Sequence, residues 1–226
     1  MQIKFKAAMI LAALALMASG LTAFANQGNN QGAERDPQDL MGLDGESTLL
    51  RNNNGIQFRL KASGLEPGHV ATIWWVLFED GEAEFDNGMP TNIRSAFYAA
   101  GSVVGGSGKA NFAASLMEDQ LKIDDDFDAN QLVVGDAEDA KLDDARAEDV
   151  LLVVRTHGPK LHGPEFPGLV NQMLNTHDAG CTTVEDGEPR EDHPQGHPLT
   201  GHGDLPDELW GPNMCMNLAT AFHAGN

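Results

Sequence analysis

Basic residues are scarce in this chain, where lysine and arginine number 14 against 34 aspartates and glutamates, for a formal net charge of −20 at pH 7. Such a surface repels nucleic acid and anionic lipid, which excludes both as partners. The acids are spread along the chain rather than gathered in blocks, so their first use is solubility, with the charge screened over about 8 Å at physiological ionic strength. Long hydrophobic runs are equally scarce: past the first residues no segment approaches the ~20 apolar residues that a membrane-spanning helix requires. Catalytic signatures are missing too. There is no Gly-x-Ser-x-Gly, no His-Glu-x-x-His and no Walker loop, and carboxylates are too plentiful for any two to stand out as acid and base.

What the sequence does contain begins with MQIKFKAAMILAALALMASGLTAFAN, in which Lys4 and Lys6 precede an apolar run from Ala7 to Ala18 and an Ala23-Phe24-Ala25 end. This is the pattern of a secretory signal peptide cut after Ala25. Asn26 rather than a cysteine follows, which argues against a lipid-modified N-terminus. The mature chain is therefore expected in the periplasm or outside the cell, and loss of the two lysines carries its net charge from −20 to −22. The expected organisation is a signal peptide over residues 1–25, a polar, Gly- and Asn-rich flexible leader over 26–45, and one domain over 46–226. Only two cysteines are present, Cys181 and Cys215. In an oxidising compartment they are expected to pair. Closing a loop of about 35 residues contributes on the order of 4 kcal/mol in the chain-entropy picture.

Along the chain, Gly55 to Ala62 alternates Ile56, Phe58 and Leu60 with Gln57, Arg59 and Lys61, the period of a half-buried strand. Val70 to Phe78 (VATIWWVLF) is apolar on both alternating faces, which suits a central strand covered on two sides. Trp74 and Trp75 then point to opposite faces, as core residues or, for one of them, as an aromatic ligand platform. AFYAAGSVVGGSGKANFAASL is expected as a hairpin turning at Gly105-Gly106-Ser107-Gly108. A short helix is expected at Ala140 to Ala147, a buried strand at Asp149 to Thr156 ended by His157-Gly158-Pro159, a helical turn near Leu169 to Leu174, and an edge strand running from Cys215. Short strands between Gly/Pro turns, with almost no amphipathic helix, indicate an all-β fold, an antiparallel β-sandwich of Ig-like or Greek-key type with long acidic and Gly/Pro-rich loops.

The WWVLF strand, the glycine-rich turn, VVRTHGP, the two cysteines and the closing ATAFH together resemble a family of uncharacterised secreted bacterial β-sandwich proteins. The resemblance spans roughly Ser47 to His223, and a more distant likeness is to chordin-type (CHRD) domains. It implies a small exported sandwich with a tryptophan-bearing central strand and brings no settled activity. Where that family often carries a cysteine after the tryptophan strand, this chain has FEDGEAEFDNG, so no second disulfide is expected.

The residues that carry chemistry are chiefly histidines. His193, His197 and His202 lie in REDHPQGHPLTGHGD at spacings of four and five, with Asp192 or Asp204 near, and neutral imidazole suits zinc or copper. Pro194, Gly196, Pro198 and Gly201 forbid the helix that would organise such spacings, so the alternative is a solvated loop. His157, His162 and His177 follow a buried strand, with His223 on the last strand, and form a second candidate set; for His157 the plainer reading is a ring that hydrogen-bonds a turn. Asp124, Asp126, Asp128 and Asn130 occupy positions 1, 3, 5 and 7 of a calcium-loop pattern, but Ala129 and Gly135 stand where glycine and glutamate are wanted. The reading that follows is an exported β-sandwich acting as a non-enzymatic binding or accessory module. The alternative is a transition-metal protein holding Zn or Cu, or a metalloenzyme resembling copper-zinc superoxide dismutase, though the His-x-His pair expected of the latter is absent.

Overall fold

The computed structural model describes residues 33–118, 132–135, 137–164, 166, 168–177, 179–181 and 212–225. Its strands follow the expected periodicities. The alternating segment becomes β3 (Gly55–Ser63), and the doubly apolar one becomes β4 (His69–Phe78), buried along nearly its whole length. Around them lie β1 (Glu34–Asp39), β2 (Asp44–Asn52), β5 (Phe85–Asp86), β6 (Met89–Pro90), β7 (Ile93–Val103), β8 (Lys109–Met117), β9 (Leu132–Val134), β10 (Val150–Pro159) and β11 (Met216–His223), with one short helix α1 (Leu169–Met173). The pairings between these strands are antiparallel. One sheet has the order β1-β2-β3-β8 and the other β11-β10-β4-β7-β9, while β5 and β6 form a small ribbon. The fold is an all-β antiparallel sandwich. No described helix is long and apolar enough to cross a membrane.

The period of two decides which side chains meet between the sheets. Leu49, Ile56, Phe58, Leu60 and Phe112 from the first sheet pack with Ile73, Trp75, Leu77, Phe97, Leu152 and Val154 from the second in one buried cluster. At its centre the rings of Phe58 and Trp75 meet edge to face with centroids 4.9 Å apart, a geometry favoured by the ring quadrupoles. The other face of β4 carries Thr72, Trp74, Val76 and Phe78. It needs a cover of its own, and Val70 at one end lies under Leu169, Met173 and Ala179 of the α1 segment. Gly101 on β7 permits that approach, because a Cβ there would lie 2.0 Å from the Leu174 carbonyl oxygen.

Three expectations are corrected. The glycine-rich turn does not close a hairpin: β7 pairs with β4 and β9 in one sheet while β8 pairs with β3 in the other. The turn is a crossover between layers, since alternation marks a strand but not its partner. The expected flexible leader, residues 26–45, contributes β1 from Glu34 onward, paired residue for residue with β2. Of its half-buried polar side chains, Asp36 meets His223, as described below, and Gln38 donates to Asp36. Residues 140–147 do not form the expected helix; a short 3-10 turn occurs at Ala137–Asp139, and the carbonyls of Ala145 and Glu148 accept from the Arg51 guanidinium instead. Residues 1–32, with the proposed signal peptide and the rest of the leader, lie outside the described residues.

Truncating Phe58 to alanine removes the partner of Trp75 in the middle of the core. Urea unfolding is expected to register a loss of about 3–5 kcal/mol, and a loss under 1 kcal/mol would place the centre of the core elsewhere.

Candidate functional site

The outer face of β10 gathers the residues with the richest chemistry. Cys181 and Cys215 form a disulfide with Cα atoms 5.6 Å apart, as expected. Beside it lies His157, in the ladder of β10 rather than in a loop after it. One ligand atom from each of these three residues falls within 4.8 Å of the others, and all three residues are buried. The strand carries His157 here because Gly158 takes a left-handed φ of 72° and lets the chain run on through Pro159. A Cβ at Gly158 would come within 2.9 Å of the Asn213 side chain, which donates from Nδ2 to the carbonyls of His157 and Pro159 at 2.8 and 2.7 Å.

Hydrogen-bond direction assigns the His157 tautomer. Nδ1 lies 3.1 Å from the Ala179 carbonyl oxygen, which can only accept, so Nδ1 carries a proton. In the neutral ring Nε2 then accepts from the Thr72 hydroxyl at 3.0 Å, and the Thr72 oxygen accepts the Trp74 indole N–H at 2.8 Å. The chain from indole to hydroxyl to imidazole to carbonyl ties β4 to the segment before Cys181. Arg155, fully buried, donates from Nε to the His177 carbonyl at 2.9 Å and adds a second tie. His177 is buried with its ring edge-on to Trp74, centroids 5.0 Å apart. His162 is exposed. Neither belongs to the cluster around His157, which among the described residues is the one group of three such ligands this close together. Trp74 and Trp75, at 2% and 0% exposure, are both core side chains. His193, His197 and His202, and likewise Asp124, Asp126, Asp128 and Asn130, lie outside the described residues.

A second polar constellation joins the two sheets. Ser47 of β2 lies with its hydroxyl 3.0 Å from His223 Nε2, and His223 Nδ1 lies 2.7 Å from an Asp36 carboxylate oxygen of β1. The order is that of a serine-hydrolase triad. Three separate elements supply it, with Ser47 and His223 176 residues apart, so no sequence spacing reveals it; of the three, the sequence singles out only His223. Ser47 and His223 have 0% exposure, and Ser47 sits mid-strand with β1 on one side and β3 on the other. Ser47 therefore does not sit on the sharp strand-to-helix turn that exposes the nucleophile of α/β-hydrolases. Arg51, two positions further along the same inward face, donates to the carbonyls of Ala145, Glu148, His223 and Ala224 at 2.8–3.1 Å. Burial pushes the Arg51 guanidinium below its ordinary value, against the raising influence of Asp36, Asp149, Glu34 and Glu148.

The third feature is an acidic hollow of about 480 Å3 lined by Glu79, Asp80, Glu82, Asp143, Asp144 and Glu148 around Arg94. Arg94 is bonded to the carboxylates of Asp143 and Glu148 and to the Lys141 carbonyl. Burial raises the Glu148 carboxyl above its ordinary value, and Arg94 opposes the rise.

The chain matches no family model, no curated protein and no solved structure.

Two outcomes follow. Replacing Cys181 and Cys215 together with alanine, which reopens a loop of sequence separation 34, is expected to lower unfolding free energy by about 4 kcal/mol at most; unchanged stability would mean that the hydrogen bonds hold the cover unaided. Burial, aided by Arg51, lowers the His223 imidazole below 6.5, against the raising effect of Asp36. The unfolded chain therefore binds this proton more readily, and the stability from the neutral ring, complete above pH 6.5, is lost as pH falls toward the lowered value. Thermal melts between pH 7.5 and 5 are expected to show a falling midpoint that flattens in H223Q; parallel curves for the two proteins would refute the assignment.

Proposed function

We propose that the protein is an exported, non-enzymatic binding or accessory module built on a cystine-tied β-sandwich and residing in the periplasm or outside the cell. The observation that carries the reading is the burial of both constellations that resemble chemical machinery. Ser47 and His223 lie between the sheets, and His157 lies under the Cys181 segment, each at 0% exposure with ring nitrogens and hydroxyls engaged by one another or by backbone carbonyls. Groups so placed join layers. A substrate would reach Ser47 only by separating strands and His157 only by displacing the irregular cover, and the energy of a buried polar group satisfied by its neighbours goes into specifying the fold. Support for export comes from the signal-like first residues and from the disulfide, which suits an oxidising compartment. The resemblance to secreted bacterial sandwiches, distantly to CHRD domains, belongs to the same reading. Function then resides on the surface of the sandwich, as it does in many binding modules of this architecture.

The test is directed at Ser47. Incubation with a fluorophosphonate probe and with p-nitrophenyl acyl esters is expected to leave Ser47 unlabelled and to give equal turnover for the native protein and S47A. S47A is expected to lose about 1–3 kcal/mol of stability, because His223 Nε2 is left without its donor. Covalent labelling of Ser47, or ester turnover abolished in S47A, would overturn the reading in favour of a hydrolase.

A further inference from the structure

We propose that His157, Cys181 and Cys215 form a latent zinc site that is opened by reduction of the disulfide. This goes beyond the reading above and does not depend on it. The three ligand atoms already lie within 4.8 Å of one another, and two thiolates with one imidazole are a ligand set that zinc takes. The backbone that presents them is held by contacts that do not involve the sulfur–sulfur bond. Cys181 bridges to Asn213, whose N–H donates to the Gly180 carbonyl at 3.1 Å and whose side chain grips the carbonyls of His157 and Pro159. Reduction therefore frees the sulfurs without releasing the strands beneath them.

An external dithiol gives two electrons and two protons to the Cys181–Cys215 bond, leaving two thiols, and itself becomes a disulfide. A zinc ion then displaces one proton from each thiol, and the two thiolates and the neutral imidazole hold it with net charge zero. Neutrality matters here because Cys181 and His157 are fully buried and Cys215 nearly so, and an uncompensated charge in such a place is costly. The requirement favours a divalent ion over a monovalent one. At Zn–S distances near 2.3 Å the sulfurs stand ~3.8 Å apart in a tetrahedral arrangement, which side-chain rotation supplies. The imidazole keeps an orienting partner whichever nitrogen binds: with Nδ1 on the metal, an Nε2 proton faces the Thr72 hydroxyl, and with Nε2 on the metal, the Nδ1 proton keeps the Ala179 carbonyl. Ligating histidines are ordinarily held by such a second bond. Three protein ligands leave a fourth position for water or a thiol.

The experiment uses the full chain, air-oxidised or reduced with a phosphine under argon, titrated with Zn2+ against a chromophoric chelator. The reduced protein is expected to bind one equivalent more than the oxidised protein. That equivalent disappears in C181S/C215S and weakens at least tenfold in H157Q. Co2+ in the reduced native protein is expected to give a sulfur-to-cobalt charge-transfer band. Near-ultraviolet circular dichroism of the reduced chain is expected to persist, or to return when Zn2+ is added. Equal zinc binding in both redox states would place the metal on other residues, His193, His197 and His202 among them, and would overturn the proposal. So would an extra equivalent that keeps its affinity in H157Q, absence of the cobalt band, or a reduced chain whose dichroism is lost and not restored by zinc.

Discussion

The rest of the structure depends on a strand that is apolar on both faces. Residues Val70 to Phe78 of β4 are all buried, and a two-layer sandwich covers only one side of them. Ile73, Trp75 and Leu77 are covered by the first sheet; Thr72, Trp74, Val76 and Phe78 need a third layer. Burying Trp74 and its neighbours favours such a layer by roughly 25 cal/mol per Å2 of apolar surface. Among the described residues the cover is poor in regular structure, however: the short helix α1, the two-residue strands of the β5–β6 ribbon, whose Phe85 meets Phe78, and connecting segments. Backbone buried in such segments carries polar groups with no ladder to satisfy them. The positions of Arg155, His157, Asn213 and the cystine follow from that requirement. Each anchors the irregular cover to the regular sheet, through the carbonyls of His177 and Ala179, through those of His157 and Pro159, and through the Cys181–Cys215 bond.

The same requirement recurs at the other end of the sandwich. The last residue of β11, the residue after it and the connection before β10 turn carbonyls toward Arg51, which donates to four of them from between the sheets. A guanidinium with its planar fork of donors is suited to this role. A buried arginine that lost these acceptors would cost several kcal/mol, so the loops and the side chain hold one another in place. Seen in this way, the Ser47, His223 and Asp36 series is a further tie rather than a catalytic device, linking β2, β11 and β1 with directional bonds where hydrophobic contact alone would allow slippage.

Much of the architecture was legible in the sequence because strands advertise themselves through alternation. β3, β4 and β10 lie within a few residues of their expected bounds, Cys181 and Cys215 pair, and β11 is an edge strand. What was hidden has a common cause. Pairing partners are not encoded in a strand's own period, so a glycine-rich turn between two strands reads as a hairpin although it carries the chain from one sheet to the other. β1 falls in the stretch read as leader because residues 26–45 are polar and rich in Gly and Asn; it is ordered by its ladder to β2 and by Asp36, which meets His223, 187 residues away. Carbonyls drawn to Arg51 likewise overrode the helical tendency of residues 140–147. Among the histidines, spacing singled out those near one another in sequence, whereas the structure joins His157 to two cysteines through the sheet and the disulfide.

The proximity of His157 to the cystine bears on how the cover is secured. A disulfide restricts the unfolded chain by closing the loop between residues 181 and 215, a contribution of about 4 kcal/mol. A zinc ion held by the same two sulfurs would close the same loop and draw on His157 as well, and structural zinc contributes apparent free energies of about 10–16 kcal/mol in small peptides at neutral pH. The two closures exclude each other chemically, since one uses a sulfur–sulfur bond and the other two thiolates. They lead to the same topology, with the segment before Cys181 pinned across Thr72 and Trp74. The form that lacks both would rely on the Arg155, His157 and Asn213 hydrogen bonds, each worth about 1 kcal/mol net. If zinc binds as proposed, loosening of the outer face of β4 would be confined to the reduced, metal-free chain, because either closure pins the segment that covers it.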